Sequence, residues 1–169
     1  MAGERLDRRA ARSRKAILSA FTSLVLERRY DSIRIADVID MADVGRSTFY
    51  AHFRSKDDLL RQSMEGLLAM IADSVSPVPD EAKLAFVVAH FWENRRLARA
   101  ILAPPLGLSV RRLLEVLVEE RLADDPERAR ARAVQIAGAQ FALLEAWMRG
   151  ELAASQALIA ERLRAAARL

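Results

Sequence analysis

The sequence predicts an all-α protein, and three observations predict it. Apolar residues recur at helical intervals along most of the 169 residues, without the sustained alternation that a half-buried strand needs. Ala, Leu, Arg and Glu, all good helix formers, are abundant, while Gly and Pro number only six and five. The prolines fall at the ends of periodic stretches, where they act as breaks. With 52% apolar residues, a chain of this length can bury a real core in one or two helical domains.

Composition narrows the chemistry. Cysteine is absent, so disulfides and thiolate metal sites are excluded and a reducing compartment is compatible. With His52 and His90 as the two histidines, a protein-encoded zinc cage is not expected. No metal or cofactor is expected at all. No apolar run reaches the length of a membrane span. The N-terminus lacks the basic-then-apolar layout of a secretion signal. A cytoplasmic protein without membrane contact is the expectation. The net charge of +4 decides little by itself; where the charge sits matters more.

Residues Met1 to Lys15 concentrate Arg5, Arg8, Arg9, Arg12, Arg14 and Lys15 against Glu4 and Asp7. Such an arm suits phosphates or a minor groove, and equally suits a frayed, solvated tail. A first helix is predicted to begin between Asp7 and Ala10. Ile17, Phe21, Leu24 and Val25 form its apolar stripe. It should end around Arg28 to Tyr30 and serve as the back wall on which the next two helices pack.

The stretch from Ile33 to Leu60 organises the chain. Ile35, Val38, Ile39 and Ala42 give one short helix an apolar face. Asp43, Val44 and Gly45 interrupt the pattern. Asp43 stands where a positive φ is needed, which Asp tolerates better than most residues. Val44 should plug the angle between two helices, and Gly45 is an acceptable N-cap. Phe49 and Phe53, four apart, then share one face. Two short helices joined by a turn of about three or four residues form the helix-turn-helix signature, whose second helix lies in the DNA major groove. With Phe49 and Phe53 inward, Arg46 and Tyr50 fall on the opposite side and Ser47 and Thr48 flank them. A helix end of that make-up suits phosphates and base edges. His52 lies just beyond, and Lys56 opens the next helix.

The segment resembles the DNA-binding domain of the TetR family of bacterial transcriptional regulators. The residues that carry the likeness are Ala42, Val44, Thr48, Phe49, Tyr50, His52, Phe53, Lys56, Leu59 and Leu60. It is strong from about Arg12 to Leu68 and rests on length and helical layout beyond that. The resemblance implies an N-terminal three-helix helix-turn-helix DNA-binding domain and a C-terminal helical domain for ligand binding and dimerisation. It also implies double-stranded DNA, a palindromic operator, as partner. The expected DNA-binding residues are Arg34, Gly45, Arg46, Ser47, Thr48, Tyr50, His52 and Lys56. Arg46, Ser47 and Tyr50 should approach base edges, Arg46 at guanine. Thr48, His52, Lys56 and Arg34 should hold phosphates. Arg34 departs from the family, which has Thr or Ser there as an N-cap. Either Ser32 caps a slightly longer helix or Arg34 points at a phosphate.

The first domain is expected over residues 1–55, with a linking helix from 56 to 75 and the second domain over 76–169. Ser55 and Asp58 form a capping box at the start of that helix, and Leu59, Leu60, Met64, Leu67, Leu68 and Ile71 make its apolar face. In the family this helix is the lever between ligand site and DNA. Pro77 and Pro79 end it. Asp80 can cap a helix through Leu84, Val87, Val88, Phe91 and Trp92. Arg95 to Leu102 makes a shorter helix, stopped by Pro104 and Pro105. Another runs from Leu106 to Ala123. Asp125, Pro126 and Glu127 suit the start of the next, which ends at Gly150. The last spans about Ser155 to Arg168. The helix before Gly150 is apolar over more than half its circumference, with Ala133, Ala137, Gly138, Ala139, Ala142 and Ala146 among larger residues. Together with Leu158, Ile159, Leu163 and Ala166 it reads as a two-fold homodimer interface built as a four-helix bundle; completing the monomer core is the alternative.

No Walker lysine loop, HExxH, GxSxG or dinucleotide glycine fingerprint occurs, so an enzyme is not expected. A cavity for an unknown small-molecule effector would be lined by Met70, Phe86, His90, Phe91, Phe141, Glu145, Trp147 and Met148, and would favour an apolar or weakly polar compound. Residues at such spacing are more often plain core than ligand contacts. Glu145, set in an apolar helix, could serve as a pocket acid or pair with an Arg of the same chain. The function expected is a ligand-responsive dimeric repressor; the rival is a helical protein-interaction module.

Overall fold

The computed structural model describes the backbone of residues 2–122 and 126–168 and the side chains of residues 7–122 and 128–168. Among the described residues there are nine α-helices, two 3₁₀ turns and no strand. They fall into two compact units, Met1–Ser63 and Met64–Leu169. The division lies inside the linking helix, so the first turns of that helix go with the N-terminal unit.

The first unit holds α1 (Ala2–Glu27), α2 (Ile35–Ala42), α3 (Arg46–His52) and the beginning of α4 (Lys56–Ala72). Helix α1 starts earlier than the apolar periodicity suggested. Glu4, Arg5, Leu6 and Arg8 are good helix formers, and a helix lengthens readily once nucleated. The basic segment is therefore a helical extension, with Arg8, Arg9, Arg12 and Lys15 exposed on it. The predicted stripe is the back wall: Ile17, Phe21 and Leu24 are buried in the same core as Val38, Phe49 and Phe53. The Phe49 and Phe53 rings lie 5.8 Å apart. Fully burying a side chain of this size stabilises by about 1.5–3 kcal/mol, so these positions carry the unit.

In the second unit α4 ends at Ala72 and a 3₁₀ turn covers Asp73–Val75. Then come α5 (Glu81–Glu93), α6 (Arg95–Leu102), α7 (Leu106–Glu119), α8 (Pro126–Arg149) and α9 (Gln156–Ala166). Helix α7 is shorter than predicted. The expected Asp125 cap lies outside the described residues. Other signals are realised in full. Asp80 Oδ1 accepts the Lys83 N–H at 3.1 Å, and Ser55 Oγ accepts the Asp58 N–H at 3.0 Å. Gly150 has φ +80°, and the Glu151 N–H reaches back to the Ala146 carbonyl at 3.0 Å, which closes α8 in a Schellman turn. Helix α8 packs on both α7 and α9, and α5 packs on α9.

Gly107 is needed for a different reason. A Cβ there would lie 2.0 Å from the Leu102 carbonyl oxygen and 3.1 Å from Phe141. The backbone of α7 can approach the end of α6 only because that atom is missing. Among the described residues of this unit, the buried polar side chains make pairs, though Gln140 Oε1 has no hydrogen-bond partner. Glu115 takes Arg130 at 3.0 Å and Arg111 at 3.5 Å. Gln140, fully buried, donates to Ser74 Oγ at 2.8 Å and to the Leu163 carbonyl at 3.0 Å.

Candidate nucleic-acid interface

The turn between α2 and α3 obeys its local chemistry. Asp43 is left-handed, with φ 49° and ψ 52°. Its N–H donates to the Asp40 carbonyl at 3.2 Å, and the Val44 N–H to that of Ile39 at 3.3 Å. Gly45 has φ −71° and caps α3, its carbonyl accepting the Phe49 N–H at 3.0 Å.

Helix α3 has two faces. Phe49 is fully buried. Arg46, Ser47 and Tyr50 are exposed, Thr48 and His52 half-buried. The Tyr50 ring stands edge-on to Phe49 at 5.4 Å while keeping 47% of its surface in solvent. These five polar residues and Gly45 are brought together on one short element.

Arg34 and Lys56 lie elsewhere. Arg34 is itself the N-cap of α2, and its side chain accepts nothing, as a guanidinium has no acceptor. Asp37 Oδ2 instead accepts the Arg34 N–H at 2.7 Å, half of a capping box. Ser32 is in the preceding 3₁₀ turn and bonds the Arg29 carbonyl at 2.7 Å, so it does not cap α2. The Arg34 side chain is exposed.

Lys56 has partners within the protein. Its ammonium donates to the carbonyls of Tyr30 at 2.8 Å and Ile33 at 2.9 Å. It also lies 4.0 Å from the centre of the Tyr30 ring. The Tyr30 hydroxyl in turn donates to Asp57 Oδ1 at 2.5 Å, and burial, followed by the Asp57 carboxylate, raises the phenol well above its usual pKa. Lys56 braces the loop before α2 through its bonds to the Tyr30 and Ile33 carbonyl oxygens.

Two residues of α4 that the sequence did not mark as part of the site belong to this surface. Asp58 Oδ2 accepts the Arg54 N–H at 2.9 Å, and that bond is the first cause holding its carboxyl below the usual range, with Arg61 and Gln62 helping. Gln62 Nε2 donates to the His52 carbonyl at 3.3 Å. The Ser55–Asp58 spacing signalled the first; nothing local signalled the second.

The eight proposed pocket residues have different surroundings. Phe91, Phe141, Trp147 and Met148 are buried core. Trp147 stacks on Trp92 at 4.9 Å and donates to the Ala154 carbonyl at 3.0 Å. Phe86 is 56% exposed and lies 6.2 Å from the His90 ring. Met70 is half-buried. Glu145 pairs with Arg149 on the next turn of α8. Two open hollows in this unit, of about 270 Å³ beside Leu84, Ala160 and Arg164 and about 410 Å³ beside Asp73, Lys83 and Arg121, are lined by none of the eight. Among the described residues no cluster of His, Asp or Glu could hold a metal ion, and no helix is long and apolar enough to cross a membrane.

Residues 9–62 match the family model for bacterial regulatory proteins of the tetR family. An HTH-type transcriptional regulator of Bacillus subtilis, YxbF, is 32% identical over 84 residues, which are 48% of this chain and 22% of that protein. The chain thus spans about a fifth of the curated relative it matches. The solved structure of a TetR transcriptional regulator from Streptococcus agalactiae is 28% identical, with 96% of this chain and 97% of that one covered and a TM-score of 0.63. A TetR-family regulator from Syntrophomonas wolfei shares the fold at 20% identity and TM-score 0.60, over 92% of this chain and 93% of its own. Family model, whole-chain likeness and a helix-turn-helix with its polar face outward agree: residues 9–62 match the tetR-family segment, and the chain as a whole is similar to TetR-type transcriptional regulators.

Proposed function

We propose that this regulator is a ligand-responsive dimeric repressor acting on a palindromic operator. The observation that carries the DNA-reading part is the division of α3 into a buried Phe49 face and an exposed Arg46, Ser47 and Tyr50 face. Arg46 reads a guanine edge, with Ser47 and Tyr50 beside it, because a guanidinium matches the two acceptors of guanine in the major groove. Thr48 and His52 hold flanking phosphates, and Arg34 reaches a phosphate from the start of α2.

The dimer reading is supported by apolar surface left on the last two helices. Val134 is 43% and Leu158 38% exposed, and Ala142 is exposed beside the small Gly138 on α8. A two-fold dimer presents its recognition helices about 34–36 Å apart, one turn of DNA. An effector that alters this separation would lower operator affinity. The aliphatic and aromatic interior of the second unit favours a small, weakly polar effector.

Selection of bound fragments from random duplex DNA tests the reading, coupled with the mass of the protein in solution. A palindromic consensus and a dimer are expected. A monomer that enriches no sequence would sink it.

A further inference from the structure

We infer that Gln62, together with Asp58 one turn before it on α4, is a positioning residue that sets where the recognition helix ends and hence how Arg46 and Tyr50 meet base edges. The inference rests on the DNA-reading role proposed above for α3.

The geometry is a bracket. Asp58 Oδ2 accepts the Arg54 N–H at 2.9 Å, and Gln62 Nε2 donates to the His52 carbonyl at 3.3 Å. One group takes an N–H and the other gives one, on either side of Phe53, the residue at which α3 stops. The two bracket residues are themselves joined, Gln62 Nε2 to Asp58 Oδ2 at 3.2 Å. From the far side Arg14 of α1 donates to Gln62 Oε1 at 3.2 Å, and its guanidinium lies 5.7 Å from the centre of the Phe53 ring. So α1, the end of α3 and α4 meet at a single amide.

The chemistry suits orientation more than stability. Helix α3 runs only from Arg46 to His52. So short a helix is marginal by itself, and its last carbonyls have no partner within the helix. Phe49 and Phe53 anchor its buried face, but packing of two rings leaves rotation about the helix axis loosely defined. A directional bond at the His52 carbonyl fixes that rotation. The amide is half-buried and its partners are polar, so its removal exposes little to a dry core. Glutamine serves because it can donate to a carbonyl and accept from a guanidinium at once.

The test uses the full chain, the duplex enriched by wild-type protein from a random library, and a random duplex of equal length. Gln62→Met keeps length and helix propensity but removes all three side-chain bonds. Gln62→Glu keeps the acceptor for Arg14 and loses the donor to His52 and Asp58. Each should bind the enriched duplex roughly tenfold more weakly, the order of one well-made hydrogen bond to orientation. Affinity for random duplex should change by less than about twofold, since phosphate contacts supply nearly all of it, and the melting midpoint should stay within a few degrees. Wild-type discrimination in both variants overturns the inference. So does a parallel loss of midpoint and of both affinities, which would mark Gln62 as structural only. If wild-type protein enriches no sequence, the repressor reading fails first and visibly, before any variant is made.

Discussion

The ammonium of Lys56 sits 4.0 Å from the centre of the Tyr30 ring and donates to the Tyr30 carbonyl at 2.8 Å. A second bond reaches the Ile33 carbonyl at 2.9 Å. One side chain thus closes the loop between α1 and α2. Hydrogen bonds to a charged group contribute about 1.5–3 kcal/mol each at most, and solvent at this half-buried site reduces that. Lys56→Met should therefore destabilise the first unit by about 1–3 kcal/mol in a denaturant titration. DNA binding should weaken through unfolding alone, with the slope of log affinity against log salt unchanged. A slope reduced by about one would restore a phosphate contact.

Arg46 has no structural duty that its exposure reveals. Arg46→Ala should leave the melting midpoint in place and cost about 1–3 kcal/mol on the selected duplex, the value of a bidentate guanine contact. Random duplex should lose far less. Fluorescence polarisation on both DNAs decides the matter, and equal losses would remove Arg46 from base reading.

Asp58 predicts a response to acid. Its folded carboxyl is held below the usual range, first by the Arg54 N–H and then by Arg61 and Gln62. A depressed folded pKa means the unfolded chain binds the proton more readily. The stabilisation is then complete above the unfolded value, about 3.9, and disappears as pH falls through the folded one. Asp58→Asn should flatten that acid-side loss for the first unit. An unchanged pH profile of the variant, measured by thermal melting from mildly acidic pH downward, would assign the acid sensitivity elsewhere.

Gly107→Ala should harm the second unit. The added methyl would meet the Leu102 carbonyl oxygen at 2.0 Å, and because that atom is backbone the two helices must part. Overpacking of this kind costs about 1–3 kcal/mol. The melting transition of the C-terminal helices should fall by several degrees, and a neutral result would mean that α6 and α7 sit farther apart.

Much of the interface was legible because its causes are local. Asp43 in the left-handed region, Gly45 as N-cap and the Phe49 and Phe53 pair arise from spacing and residue type within a few positions of one another. The Lys56 brace was not legible. A lysine at a helix start reads as free charge until the loop carrying Tyr30 and Ile33 is folded against it. Gln62 was invisible for the same reason, since its partners lie ten residues back in His52 and 48 back in Arg14. The pocket residues are a different case. Helical spacing puts Phe141 and Trp147 inside, but spacing cannot tell a filled interior from a hollow one.

What the sequence determined by itself was periodic and short-range: an all-helical chain, most of its caps, and a helix-turn-helix with Arg46, Ser47 and Tyr50 turned away from Phe49. Tertiary structure alone decided which charged and amide groups are taken up by the protein's own backbone. Lys56 and Gln62 each find a carbonyl that only packing delivers. Periodicity records which face of a helix avoids water, whereas a hydrogen bond between distant segments depends on distances of a few ångströms that no local pattern encodes.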